Sequence, residues 1–376
     1  MDHHDVDVVV IGAGMAGLAC ARTLVAAGRS VVVIEAGDGV GGRVRTDVVD
    51  GVRFDRGFQV MLTGYPEFAH NVDLEALDLQ RFSSGVTVRH DGKFTRIADP
   101  TRAPLAAPWS LRIASPSDSV RLLRWRHRLV TTPGPELATG PQTTTATLLN
   151  ELGFSDGLIE QFFRPFLSGT FFDPELRTSS RFTELVFRSF FRGDVAVPAG
   201  GMQALPDQLA ASLPAGTILL DTQVNRVDGT RIAATATGPA SPAASVKADA
   251  VVVATDAPNA RHLVGDRIPI QTTDRAGTTF QYLADQAPIS QPDLVLAADD
   301  IGPATTVAVM TNVAPTYAPD GTHLISVSMP GIPAGEDADI DRLVRTQLAG
   351  WWGAQVGRWE LARVDRIHHA QPRMDP

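Results

Sequence analysis

An α/β fold in two domains with interleaved sequence is predicted by three features of this chain. The first is a β-branched run at 6–11, followed by Gly12-Ala13-Gly14-Met15-Ala16-Gly17 and an Ala- and Leu-rich helical stretch to about Ala27. The second is another β-branched run at 30–34 that ends in Glu35, which closes a βαβ unit of about 30 residues. The third is the order of the remaining segments along the chain. β-rich and helix-rich segments interrupt this scaffold, and its strand and glycine patterns resume near residue 200.

The elements are set by local pattern. Residues 6–11 read as a buried parallel strand, because both faces are apolar apart from Asp7. Gly28 is the natural stop for the first helix. Asp50-Gly51 and Asp91-Gly92 each sit between short β-like runs, at 46–54 and 86–97, and predict hairpins. Residues 98–117 are rich in Pro, Ala and Ser and predict an extended segment. Helices are expected near 118–131, 143–168 (broken around 153–156) and 178–192, and after Gly200-Gly201 as far as Ser212. Strands are expected at 217–220, 223–228 and 246–254, with a strand-rich region at 276–330. A helix near 337–350 and a strand near 359–366 end the pattern. The Ala/Thr/Pro-rich patch at 233–245 reads as a surface loop.

Composition bounds the function. The chain has 376 residues, 44% hydrophobic and 20% charged, ordinary values for a globular protein of about two domains. Its net charge of −9 opposes non-specific binding to nucleic acid, which needs basic surface. The single cysteine, Cys20, excludes an internal disulfide and reads as a small buried hydrophobe in the first helix. No apolar stretch is long enough to span a membrane, and the acidic, polar start runs straight into a strand, unlike a secretory leader. The expectation is a cytoplasmic, soluble protein, with peripheral membrane contact left open.

The 12–17 segment carries the chemistry. Gly12 permits the tight turn out of the strand, Gly14 lets a pyrophosphate approach the backbone, and Gly17 lets the helix pack close to the sheet. Met15 and Ala16 place N–H groups at the start of the helix, where an anion is stabilised. Glu35 is positioned to accept hydrogen bonds from the ribose hydroxyls and would repel a 2′-phosphate, which disfavours NADP. The context of strand, glycine turn, helix, strand and acid is that of a Rossmann dinucleotide site. Gly37, Gly39 and Gly42 repeat the glycine spacing without an obvious helix after them.

The stretch Glu35-Ala36-Gly37-Asp38-Gly39-Val40-Gly41-Gly42-Arg43-Val44-Arg45-Thr46 resembles the segment after the second strand in the flavin-containing amine oxidase superfamily. That group includes monoamine oxidases, protoporphyrinogen oxidases and phytoene desaturases. Further resemblance lies in Phe54-Asp55-Arg56-Gly57-Phe58-Gln59, in Pro198 to Leu205, in Gln223-Val224-Asn225-Arg226-Val227 and in Asp249 to Pro258. It spans roughly residues 6–260 and is closest to phytoene-desaturase-like and protoporphyrinogen-oxidase-like flavoproteins. The resemblance implies FAD as cofactor. It implies a Rossmann-type FAD-binding domain at 1–80 and 198–268, with an α+β substrate domain at 81–197 and 269–376. It also implies cofactor contacts from Ala36, Gly41, Gly42, Arg43, Gln59 and the main chain of Val224, beside Gly12, Gly14, Met15, Ala16, Gly17 and Glu35. The superfamily's last Gly-Asp motif has no counterpart at a suitable place, the final residues being Arg373-Met374-Asp375-Pro376. The expectation is a chain truncated or diverged at that point.

No catalytic residue is named, because the flavin takes the hydride and the protein supplies position and electrostatics. The lysines, Lys93 and Lys247, are poor matches to the lysine that holds a water near the flavin in many amine oxidases of the superfamily. The nine histidines show no metal-ligand spacing, and no metal is expected. Over half of the 16 phenylalanines fall between 162 and 191, either as the core of a helical subdomain or as the wall of a lipophilic tunnel. The basic segment 121–128 is either a solvated helix face or a membrane-surface helix. The expected function is FAD-dependent oxidation or dehydrogenation of a hydrophobic small molecule such as a polyene or tetrapyrrole-like compound. A flavin amine oxidase, a flavin-free NAD-dependent enzyme and a truncated, inactive dinucleotide-binding protein are the alternatives.

Overall fold

The structure is a computed structural model that describes residues 5–98, 113–236, 244–265, 273–298 and 302–376. Contacts divide the chain into two units, each built from three segments. The first comprises Met1–Asp47, Ala69–Leu77 and Gly200–Thr273; the second comprises Val48–Phe68, Asp78–Ala199 and Asp274–Pro376. The chain is thus interleaved. Residues 48–68 pack with the second unit, whereas a sequence boundary at residue 80 sets them in the first.

The first unit is built on a six-stranded sheet. From one edge its strands are Ile218–Leu219, Val31–Ile34, Asp5–Ile11, Ala244–Val253, Arg231–Ala236 and Thr222–Asp228. The first four run parallel; Arg231–Ala236 runs opposite to them, and Thr222–Asp228 pairs antiparallel with it. The β-branched runs have a physical cause. Val8, Val10, Val31 and Val33 bury one face against Leu18 and Ala21 of the helix Met15–Ala26 and against Leu209. Val9, Ile11 and Ile34 bury the other face with Val224, Ile232 and Val246. Parallel strands covered on both faces read as continuous apolar runs for this reason. The helix ends at Ala26, and Gly28 turns in the left-handed region at φ +77°.

The expected loop at 233–245 is a correction. Residues up to Ala236 and from Ala244 onward are strands, and 237–243 lie outside the described residues. The composition suggests a loop, but Ile232 and Ala234 face the core two residues apart, which is strand periodicity. Most of the extended segment expected at 98–117, residues 99–112, also lies outside the described residues.

The second unit carries a seven-stranded, mainly antiparallel sheet. Its order is Glu360–Pro372, Asp274–Ala284, His323–Pro330, Thr306–Val309, Leu294–Ala297, Gly85–His90 and Lys93–Ala98. The Asp91-Gly92 hairpin forms as expected, with both residues at positive φ. The last strand runs to Pro372, six residues beyond the expected end, and carries His368 and His369, both exposed. The helix Asp337–Trp352 covers part of the sheet, with Ile340, Val344 and Leu348 against Tyr282, Ile325 and Trp359.

The expected helix at 143–168 is two. Thr145–Glu151 ends before Gly153, which turns at φ +78°, and a second helical run begins at Asp156. That run widens into a π-turn at Ile159–Phe163, where the Arg164 N–H reaches back to Ile159 O, just before Pro165, which has no N–H to give. Phe163, Phe166, Phe171 and Phe187 are buried around Trp125, so these phenylalanines form a core. In the helix Pro116–Thr131, Trp125 and Leu129 face this core, Arg128 pairs with the buried Glu184, and Val120, Leu123 and Arg124 are exposed. Among the described residues, no helix is long and apolar enough to cross a membrane.

Candidate functional site

The turn between the first strand and the first helix is tightly constrained backbone. Gly12 sits at φ +102°, and its N–H donates to Ile34 O at 2.8 Å. A Cβ on Gly12 would lie 2.9 Å from Ala254 O, and a Cβ on Gly17 would overlap Gly12 O. These two glycines let helix and strands close on one another. Gly14 differs. It is the N-cap of the helix in ordinary extended backbone, at φ −72°, and a Cβ on it would meet nothing within 4 Å. Met15 is half-buried and Ala16 exposed at the same end. The cap supplies no side-chain acceptor and the first turn has no acid, so this helix end suits an anion from outside.

A second glycine-rich loop, 37–42, closes beside the first. Gly14 and Gly41 form a parallel bridge, and the Gly41 N–H donates to Ala13 O at 2.8 Å. Glu35 ties both loops to the end of the second strand. Its Oε2 accepts from the Ala13 N–H at 2.7 Å and its Oε1 from the Gly37 N–H at 2.8 Å. Ala36, Gly42 and Arg43 lie on this stretch, with Gly42 exposed, and Arg45 pairs with Asp38 at 2.6 Å. The Asp221 N–H donates to Gly37 O and the Thr222 N–H to Glu35 O, which brings the strand carrying Val224 to the same end of the sheet. The Val224 side chain points into the core.

All the sequence-selected residues except Gln59 therefore lie in the first unit. Open space at Gly14, the uncapped helix start, two bridged glycine loops and an acid at the end of the second strand fit a dinucleotide. The pyrophosphate would lie at Gly14 and the ribose near Glu35.

Gln59 lies in the second unit, where its Nε2 donates to Arg56 O at 2.8 Å. It borders a shallow, open depression lined also by Arg53, Asp55, Phe58, Gln281 and Tyr317. Tyr317 donates its hydroxyl to Asp55 Oδ2 at 2.8 Å, and the Gln281 Nε2 donates to Asp55 O and to Asp365 Oδ2, both at 3.0 Å. Burial, reinforced by the Asp55 carboxylate, pushes the Tyr317 hydroxyl well above its ordinary value, so it remains a donor. Sequence reasoning missed Gln281 and Tyr317, because residues 55, 281, 317 and 365 are far apart along the chain. One signal was available. Thr279 and Gln281 are polar two residues apart on a strand whose other face, Phe280 and Tyr282, is core. Lys93 and Lys247 are both exposed on strands.

Comparison with known proteins agrees with this geometry. Residues 15–368 match the family described as flavin containing amine oxidoreductase. The chain is 29% identical over 251 residues to putrescine oxidase from Kocuria rosea, covering 59% of this chain and 49% of the relative. It is 29% identical over 292 residues to phytoene dehydrogenase from Streptomyces griseus, covering 69% of this chain and 56% of the relative. Each match spans about half the relative's length. Among solved structures, an oxidoreductase from Methanosarcina mazei superposes with a TM-score of 0.72 at 18% identity, covering 98% of this chain and 90% of that one.

Proposed function

The chain belongs to the flavin-containing amine oxidoreductase family, and on that premise we propose that it is a cytoplasmic FAD-dependent oxidoreductase acting on a hydrophobic small molecule. Membership implies FAD as the cofactor. The observation that carries the reading is the double glycine cradle, with Gly14 open and bridged to Gly41 and Glu35 joining both loops. Gly12, Gly14, Met15, Ala16, Gly17, Gly41, Gly42 and Arg43 would hold the pyrophosphate side, Glu35 and Ala36 the ribose, and the Val224 main chain the adenine. Gln59 would serve the flavin end. Bound flavin supplies the two-electron acceptor for substrate oxidation. The chain's own part is to bind, orient and exclude water.

The similarity to a phytoene dehydrogenase supports a polyene or similar lipophilic substrate. The similarity to a putrescine oxidase supports a second reading, oxidation of an amine. The purified protein should show flavin bands near 370 and 450 nm (approximate positions for an oxidised flavin), or acquire them on addition of FAD. Under anaerobic conditions, a conjugated polyene should bleach the 450 nm band and putrescine should leave it unchanged. Bleaching by putrescine alone would favour the amine reading, and a colourless protein that takes up no FAD would overturn both.

Glu35→Ala should weaken FAD binding by about 1–3 kcal/mol, the range for a lost charged hydrogen-bond partner. Two effects add here, since the ribose loses its acceptor and the N–H groups of Ala13 and Gly37 lose theirs. Equilibrium titration of the apoprotein with FAD measures it. An unchanged affinity would place the ribose elsewhere.

A further inference from the structure

The loop 37–42 contains four glycines among six residues, Gly37, Gly39, Gly41 and Gly42. Such a loop loses more conformational entropy on ordering than any other kind and has few side chains with which to hold itself. Ala13 and Glu35 fix it from the side of the first helix. A separate contact fixes it from the other side. The Gln203 carboxamide Nε2 donates to Val40 O at 3.1 Å and to Asp207 Oδ1 at 2.8 Å, so both of its N–H bonds are engaged. The Gln203 main-chain N–H donates to Thr46 Oγ1 at 3.0 Å. Residue 203 thus grips the chain both within the loop and just after it. The fit is close, since a Cβ on Gly201 would lie 2.7 Å from the Thr46 side chain and a Cβ on Gly41 would lie 3.0 Å from the Pro206 ring.

We propose that Gln203 is a positioning residue for the cofactor, holding the loop 37–42 in the arrangement that bridges Gly14. The inference rests on the reading of the first unit as the FAD site. It has a chemical signature that simple packing lacks. Gln203→Glu keeps the size and shape of the side chain but replaces the donor with a carboxylate facing Val40 O and the Asp207 carboxylate, so attraction becomes repulsion. Gln203 is also the N-cap of the helix Ala204–Ala211, where a negative charge is mildly favourable. The helix itself therefore gives no reason for the Glu variant to unfold.

The test uses the wild type, Gln203→Glu, Gln203→Ala and Thr46→Val as apoproteins. Three quantities are measured: FAD affinity by flavin fluorescence, thermal midpoint, and the rate of tryptic cleavage after Arg43 and Arg45. Gln203→Glu should bind FAD at least about tenfold more weakly than the wild type at pH 8. It should also bind more weakly than Gln203→Ala, with the deficit narrowing as the pH falls toward the glutamate's own titration. Cleavage at the loop should accelerate in all three variants while the midpoint stays at the wild-type value. Wild-type affinity and wild-type cleavage in the variants would overturn the proposal. So would an Ala variant weaker than the Glu variant, or losses that track a lowered midpoint. Failure of the wild type itself to take up FAD would strike the functional reading instead, and the cleavage rates would still decide whether Gln203 holds the loop.

Discussion

A Gly14→Val protein should fold, melt close to the wild type and take up no FAD, with affinity reduced by at least about 100-fold, or about 2.7 kcal/mol. The three glycines of the first turn separate cleanly on physical grounds. Gly12 needs its positive φ, and Gly17 needs the absence of a Cβ, because one would occupy the place of Gly12 O. Substitution at either disturbs the fold. Gly14 needs neither. Its φ of −72° and ψ of 177° are open to valine, and the space ahead of it contains no protein atom within 4 Å of a Cβ. That space is needed only if something else enters it. Valine at an N-cap costs about 1 kcal/mol or less relative to glycine, a minor part of the stability of a chain this size. FAD titration and the apoprotein melting curve, measured together, decide the matter. A fully yellow Gly14→Val protein would move the pyrophosphate away from this turn, and an unfolded one would mean that Gly14 serves packing. Gly17→Val, by contrast, should give no folded protein.

The first unit is legible in the sequence because its constraints are local. Val8, Val10 and their neighbours alternate between two buried faces, and Gly12, Gly14 and Gly17 act within a single turn. The place of Glu35 at a strand end marks it as a ribose acceptor. The structure adds that its carboxylate already joins Ala13 to Gly37, a contact between residues 22 positions apart that no spacing rule reveals. The second unit is less legible for the same reason. Asp55, Gln281 and Tyr317 meet through pairings more than 200 residues apart, and the phenylalanines of 162–191 can be assigned to a core only once Trp125 is placed among them. The loop expected at 233–245 shows how composition misleads. Alanine and threonine suggest an unstructured stretch, but a two-residue alternation beside a long parallel strand makes another strand.

The second large effect is expected at Arg275. Its Nη1 lies 2.7 Å from Asp173 Oδ1 and its Nη2 lies 2.8 Å from Asp375 Oδ1. Asp173 is fully buried, and its other oxygen accepts from the Thr178 N–H at 2.7 Å and hydroxyl at 2.8 Å. Burial pushes the Asp173 carboxyl up, but the Thr178 hydrogen bonds and the Arg275 charge outweigh it and hold the group below the usual carboxylate value. A folded-state value below the unfolded one contributes stability above pH of about 4, and that contribution is lost as the pH falls through the folded value. Arg275→Met keeps most of the volume and removes the charge. Asp173 is then a buried anion that keeps its Thr178 hydrogen bonds but has lost the Arg275 charge, and destabilisation of about 3–5 kcal/mol is expected at pH 7. The pH dependence weakens as well. With the cation gone, one cause that holds the Asp173 carboxyl down is lost while burial still pushes it up, so protonation costs the variant less than the wild type. The stability gap between the two, measured by denaturant unfolding, should therefore narrow as the pH falls from 7 toward about 4. Adding Asp173→Asn to Arg275→Met should recover part of the loss at pH 7, because the uncompensated charge is gone. A gap that stays constant with pH, or a double variant no better than the single one, would show that Arg275 stabilises by packing its stem and not by neutralising Asp173.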